Sequence, residues 1–216
     1  MVLRSTFDAF RDRAEAGRRL GTRLSDLDLP GTPIVLGLPR GGVVVAAEVA
    51  SALDGQLDVL VARKLAHPEQ PELALGALAE GGSPVWDEAM LRRMGLHSID
   101  LNAVVAAERQ ELARRVATYR QGRPAPDVHG RVVVLVDDGV ATGATARAAL
   151  RALGNRGAER LLLAVPVAAP ESLPTFTDAD EVVTLLAPAN FVAVGRWYDD
   201  FSQLSDEDVR RALSAR

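Results

Sequence analysis

The chain has 216 residues, 48% hydrophobic and 25% charged, with a formal net charge of −4. That is enough apolar material for one sizeable core, so a single domain over residues 1–216 is expected and wholesale disorder is excluded. The absence of cysteine removes disulfides, thiolate nucleophiles and Cys-ligated zinc, and the negative balance counts against a general nucleic-acid binder.

In chain order, residues 6–24 place Phe7, Phe10, Ala14, Leu20 and Leu24 near one helical face. No apolar core of the signal-peptide kind precedes them, and later apolar runs are too short to cross a bilayer, so a cytoplasmic protein is expected. Residues 34–38 read as a buried strand, 43–53 as an apolar helix and 57–61 as a second strand, which together make a βαβ unit. Residues 63–87, rich in Pro and Gly, read as a loop leading into a hairpin with strands at 73–80 and 83–86. Helices are expected over 87–94 and 100–120, the latter with a Glu111–Arg115 pair one turn apart. A second βαβ unit follows, with strands at 132–136 and 160–165 around a helix at 145–153. A further strand at 182–186 and a short helix at 205–215, opened by Ser205 and Asp208, complete the pattern. The sum is an α/β chain, a three-layer α/β/α sandwich around a mainly parallel sheet.

The chemistry concentrates after the strand at 132–136. Five apolar residues suit a strand buried on both faces, and two acids follow it at once, Asp137 and Asp138. The carboxyl end of a central parallel strand is where such sheets bind ligands, and carboxylates there accept hydrogen bonds from sugar hydroxyls. Ala141, Thr142, Gly143, Ala144 and Thr145 then lead into a helix N-terminus, whose free N–H groups and dipole suit a phosphate. Hydroxyl acceptors beside phosphate donors describe a sugar-phosphate site. Either half alone reads better as a turn or a plain helix cap, and it is the whole run that points to a ligand.

The run Val-Val-Leu-Val-Asp-Asp-Gly-Val-Ala-Thr-Gly-Ala-Thr, residues 133–145, resembles the signature of the type I phosphoribosyltransferases. The order of the segments further resembles a bacterial group of stand-alone phosphoribosyltransferases. The resemblance implies that the donor is 5-phosphoribosyl 1-pyrophosphate (PRPP), displaced at ribose C1 by a nitrogen nucleophile such as a nucleobase. Asp137 and Asp138 would face the ribose, with Asp138 also taking part in catalysis, and Ala141–Thr145 would cradle the 5′-phosphate. Arg40, Gly41 and Gly42 stand where the family has its pyrophosphate loop, and a cis Pro39–Arg40 bond is expected by the same analogy. Arg63 and Lys64 would assist the leaving pyrophosphate, beneath a lid formed by residues 63–87. Trp197 or Tyr198, in a hood over 188–216, would stack on the base. For this aromatic pair, core closure or a homodimer contact is an equal reading. Mg²⁺ would arrive with the substrate. One departure stands out. Members acting on 6-oxopurines carry an acid where this chain has Ala141, and a methyl group transfers no proton. The competing readings are a PRPP-sensing regulator without catalysis and a hydrolase or phosphorylase of a ribosyl phosphate.

Overall fold

The computed structural model describes residues 9–214, apart from the side chain of Glu72. The apolar run Val132–Val136 forms β6, in which all five residues are buried. It lies at the centre of a five-stranded sheet with β1 (Ile34–Gly37), β2 (Gln56–Val59), β7 (Arg160–Val167) and β8 (Glu181–Leu186). The strand order is β2-β1-β6-β7-β8, and every neighbouring pair is parallel. Successive side chains point to opposite faces. Val133 and Leu135 therefore pack with Ala149, Leu150 and Leu153 of α5 (Ala144–Asn155). Val132, Val134 and Val136 pack with Leu20 and Leu24 of α1 (Arg13–Ser25) and Val45 and Val49 of α2 (Gly41–Ala52). With helices on both faces of a parallel sheet, the three-layer α/β/α sandwich is present as expected. Among the described residues, no helix is long and apolar enough to cross a membrane.

Two segments differ from the sequence expectation. Helix α1 begins at Arg13 because Asp12 caps it, its Oδ1 accepting from the Glu15 N–H at 2.7 Å. Phe10 is drawn out of the helical pattern: it is fully buried and bridges Tyr198 in extended form, its N–H donating to the Trp197 carbonyl at 2.8 Å. Residues 6–8 lie outside the described part of the chain, as does Ala215 at the other end.

The larger difference is the segment 63–87. Where the prolines suggested a leading loop, the chain forms β3 (Ala62–His67), β4 (Gln70–Ala79) and β5 (Val85–Trp86), a second, antiparallel sheet. Pro68 occupies the β3–β4 turn and Pro71 the frayed start of β4, where pairing is irregular and a missing N–H disrupts no regular ladder. This sheet packs on α5 through Ala77 and Ala79. Its Leu65 and Leu78 meet Leu112 and Tyr119 of α4 (Asn102–Arg120) and Val209 of α6 (Asp206–Ser214). Helix α3 (Glu88–Met94), capped by Asp87, follows β5. The Glu111–Arg115 pair forms on α4 at 2.8 Å. Ser205 and Asp208 cap α6 reciprocally, the Ser205 N–H donating to Asp208 Oδ2 at 2.9 Å and the Asp208 N–H to Ser205 Oγ at 3.2 Å.

One charged cluster joins the two sheets. Arg120, at the end of α4, is 3% exposed and donates to Asp58 on β2 at 3.2 Å, to the Val59 carbonyl at 2.6 Å and to Glu80 just past β4. Removing the guanidinium strands two carboxylates in a poorly solvated site. Arg120→Ala is expected to cost about 3–5 kcal/mol of unfolding free energy in urea denaturation. Arg18→Ala, which breaks the exposed 3.2 Å pair with Glu48, should cost less than about 1 kcal/mol.

Candidate functional site

The sheet order contains a switch point. From β1 the chain moves outward to β2, and from β6 it moves the other way to β7 and β8. The carboxyl ends of β1 and β6 are thus neighbours whose following loops diverge, which opens a crevice between them. The two motifs singled out in the sequence, 39–42 and 137–145, are those two loops.

Their backbones touch. The Leu38 N–H donates to the Val136 carbonyl at 2.8 Å. A Cβ on Gly42 would stand 2.7 Å from the Val136 oxygen and 2.8 Å from the Asp137 Cα, and one on Gly41 would overlap Asp138 Oδ2. Only glycine permits this approach. The Pro39–Arg40 bond is cis, as expected. Arg40 stands at the N-cap position of α2 and lies 3.9 Å from Asp206 of α6, which also accepts the Tyr119 hydroxyl at 2.8 Å.

On the β6 side, Val140 anchors the second loop through an isolated bridge to Ala168. Gly143 has φ of +73° and packs against the Phe176 ring, which a side chain would displace. No side chain caps α5. Its N-terminus is therefore open to an anion in the manner expected of a phosphate cradle. Thr142 is exposed and Thr145 half-buried there.

Both acids sit at the β6 terminus. Asp137 is half-buried, and its Oδ1 accepts from the Asp138 N–H at 2.9 Å. Burial, then the neighbouring Asp138 charge, push its carboxyl well above the usual carboxylate range. Asp138 is held differently. Arg13 Nε donates to its Oδ2 at 2.7 Å, and the Tyr198 hydroxyl donates to its carbonyl at 2.6 Å. Asp137, Asp138, Arg13, Arg40 and Gly41 line a cavity of about 360 Å³. A second cavity of about 820 Å³ adjoins the loop that leads into α5. Ala141, Thr142, Ala144 and Arg147 form one wall, and Trp86, Met90, Phe191 and Val192 are among the residues opposite.

The sequence pattern of the phosphoribosyl transferase domain matches residues 14–195. The chain belongs to the phosphoribosyl transferase family. That family is one of pentosyl-transferring enzymes, and both loops of the crevice fall inside the match. Relatives in Mycobacterium tuberculosis, strains CDC 1551 and H37Rv, carry the provisional name phosphoribosyl transferase and are 47% identical over 201 residues. The match takes in 93% of this chain and 45% of theirs, so the chain spans about half the length of these relatives. A crystal structure of the protein TT1426 from Thermus thermophilus is 48% identical with a TM-score of 0.81, covering 95% of this chain and 97% of that one. A shorter likeness, 42% identical over 62 residues, relates 29% of this chain to 30% of a protein of Lactobacillus gasseri named uracil phosphoribosyltransferase.

Within this family frame, the residues singled out in the sequence separate into two groups. Arg40, Gly41, Gly42, Asp137, Asp138, Ala141, Thr142, Gly143, Ala144 and Thr145 converge on the crevice. Arg63 and Lys64 do not line either cavity. They lie on β3, where Arg63 donates to Glu108 of α4 at 2.7 Å and Lys64 to the Pro71 carbonyl at 2.9 Å. Tyr198 is not an exposed stacking ring. It is 6% exposed, wedged between Phe10 at 5.4 Å and Phe201 at 5.0 Å. Burial and the charge of Asp138 push its hydroxyl pKa far upward. Trp197 packs in the same cluster. Phe191 and Trp86 are the aromatic residues that line the larger cavity, and Phe201 lines the smaller one.

Two site residues escaped the sequence reading. Arg13 lies 125 positions from Asp138, and nothing local marks it. Arg147 sits near the N-terminus of α5, where a cation opposes the helix dipole, a signal that was available. It donates to the Thr142 carbonyl at 2.8 Å and to Thr175 Oγ1 at 3.0 Å, which braces the loop before α5.

A carboxyl whose pKa is raised on folding contributes stability below its unfolded pKa and loses it as pH rises through the folded pKa. Asp137→Asn is therefore expected to melt higher than the parent at pH 7–8. The gain should fade as pH falls toward about 4, the ordinary range for aspartate. Thermal melts across that interval check this; a difference independent of pH contradicts it.

Proposed function

We propose that the protein transfers a 5-phosphoribosyl group from PRPP to a nitrogen nucleophile, a nucleobase in the simplest case. The observation that carries the reading is the convergence, at one switch point, of an acid pair, an uncapped helix N-terminus and a two-glycine loop bearing an arginine. These suit the three parts of the donor in turn: ribose hydroxyls, 5′-phosphate and pyrophosphate.

In the reaction, the bond from C1 to the pyrophosphate oxygen breaks and a bond from C1 to nitrogen forms. Pyrophosphate leaves with the electron pair, and the nucleophile gives up its proton. Positive charge grows on the sugar as C1 loosens. Asp137 and Asp138 orient the ring by accepting from its hydroxyls, while the α5 N-terminus and Thr142 hold the far phosphate still. Arg40 meets negative charge on the leaving group. Arg63 and Lys64 join it in this proposal only by leaving Glu108 and the Pro71 carbonyl, which requires the β3–β4 hairpin to shift.

Among the described residues, no group of three His, Asp or Glu side chains is arranged to hold a metal. In this reading Mg²⁺ would enter with the substrate and would supply charge neutralisation on the leaving group.

The acceptor is assigned to the 820 Å³ cavity, between Ala141 and the walls bearing Trp86 and Phe191. Aromatic faces suit a planar base. The partial likeness to a protein named uracil phosphoribosyltransferase supports a nucleobase in general. Ala141 supplies no general base, so the proton leaves by another route, and a 6-oxopurine mechanism that needs an acid at this position is disfavoured. A cytoplasmic location belongs to the same reading, since PRPP is an intracellular metabolite.

Incubation with PRPP, Mg²⁺ and a panel of bases is expected to release pyrophosphate only when a base is present. Release without a base would indicate a hydrolase, and binding without release a sensor. Arg40→Ala should raise the KM for PRPP about 10- to 100-fold, the loss of one charge-assisted contact. An unchanged KM would remove Arg40 from the site.

A further inference from the structure

Resting on the reading of the crevice as a PRPP site, we infer that Arg13 is the positioning residue that presents Asp138 to the sugar. The family match begins one position after Arg13, inside α1. Yet the Arg13 side chain is only 11% exposed and is engaged on three sides. Nε donates to Asp138 Oδ2 at 2.7 Å, Nη1 donates to the Ser202 carbonyl at 3.0 Å, and the guanidinium lies 3.9 Å from the centre of the Phe201 ring. Phe201 in turn stacks on Tyr198, whose hydroxyl holds the Asp138 carbonyl. Asp138 is thus gripped at its carboxylate from the N-terminal helix and at its main chain from the C-terminal segment.

The two grips are tied to each other. The Asp199 N–H donates to the Phe10 carbonyl at 2.8 Å and the Asp200 N–H to the Arg11 carbonyl at 2.9 Å, just before α1 begins. Gly41 closes the third side, because any side chain there would overlap both Asp138 Oδ2 and Arg13 Nε. With Oδ2 engaged, the carboxylate cannot rotate freely, and Oδ1 is the oxygen left to accept from a ribose hydroxyl. The charge acts as well. Two adjacent carboxylates resist ionising together, and the Arg13 cation offsets that repulsion. Lysine would keep the charge but lose the planar fork that bonds and stacks at once.

The test is PRPP binding with Mg²⁺ by calorimetry on wild type, Arg13→Gln, Asp138→Asn, the double variant, Arg13→Lys, and Arg18→Gln as a same-helix control. Thermal melts of each accompany it. The expected result is a loss of 10-fold or more for Arg13→Gln, a double variant no weaker than Asp138→Asn alone, intermediate affinity for Arg13→Lys, and wild-type affinity for Arg18→Gln. Additive losses, or wild-type affinity in Arg13→Gln, would overturn the inference and leave the PRPP site standing. If Arg13→Gln fails to fold, Arg13→Lys decides: intermediate affinity supports the role and wild-type affinity overturns it. Absence of PRPP binding by the wild type would overturn both readings.

Discussion

The site depends on how closely two backbones approach at the centre of the sheet. Gly41 and Gly42, at the start of α2, lie against the end of β6 with no room for a side chain between them. That contact sets the separation of the loops and the direction in which Arg40 leaves the chain. It also puts Asp137 and Asp138 directly beside the first turn of α2. A sheet built from two βαβ units of opposite winding creates the gap, and the glycines narrow it to ligand size.

Around that contact the charges are arranged so that none stands alone. Asp138 has Arg13, Arg40 has Asp206, and Arg120 has Asp58 and Glu80. Asp137 is the exception. Burial, then the charge of the adjacent Asp138, push its carboxyl well above the usual carboxylate range. A structural role would favour an apolar residue at this place, whereas binding hydroxyls requires an acceptor. The strain of the pair therefore points to function more strongly than either acid does alone.

The cavity beyond the loop that leads into α5 is built from parts that the simple βαβ pattern does not contain. Trp86 and Met90 come from β5 and α3, and Phe191 and Val192 from the segment after β8. The antiparallel sheet that carries β5 rests on α5, the same helix whose N-terminus opens toward the proposed phosphate site. The proposed donor grip and the cavity proposed for the acceptor thus share one helix as a common wall.

The sequence by itself determined the layers of the sheet and marked the two loops proposed to hold the donor, since both are local. Five consecutive apolar residues at 132–136 suit a strand covered on both sides, and the Asp-Asp and Thr-Gly groups that follow need no distant partner to be recognised. The prolines at 68 and 71 misled because a turn and a frayed strand start tolerate them as well as a loop does. What only the tertiary structure decided was which side chains share a space across long separations. Arg13 reaches Asp138 over 125 positions, and Tyr198 is buried by Phe10 from the opposite end of the chain, which leaves Phe191 and Trp86 to face the cavity. Residue type and spacing carry no record of such contacts, because they exist only after the N- and C-terminal segments have packed over the sheet.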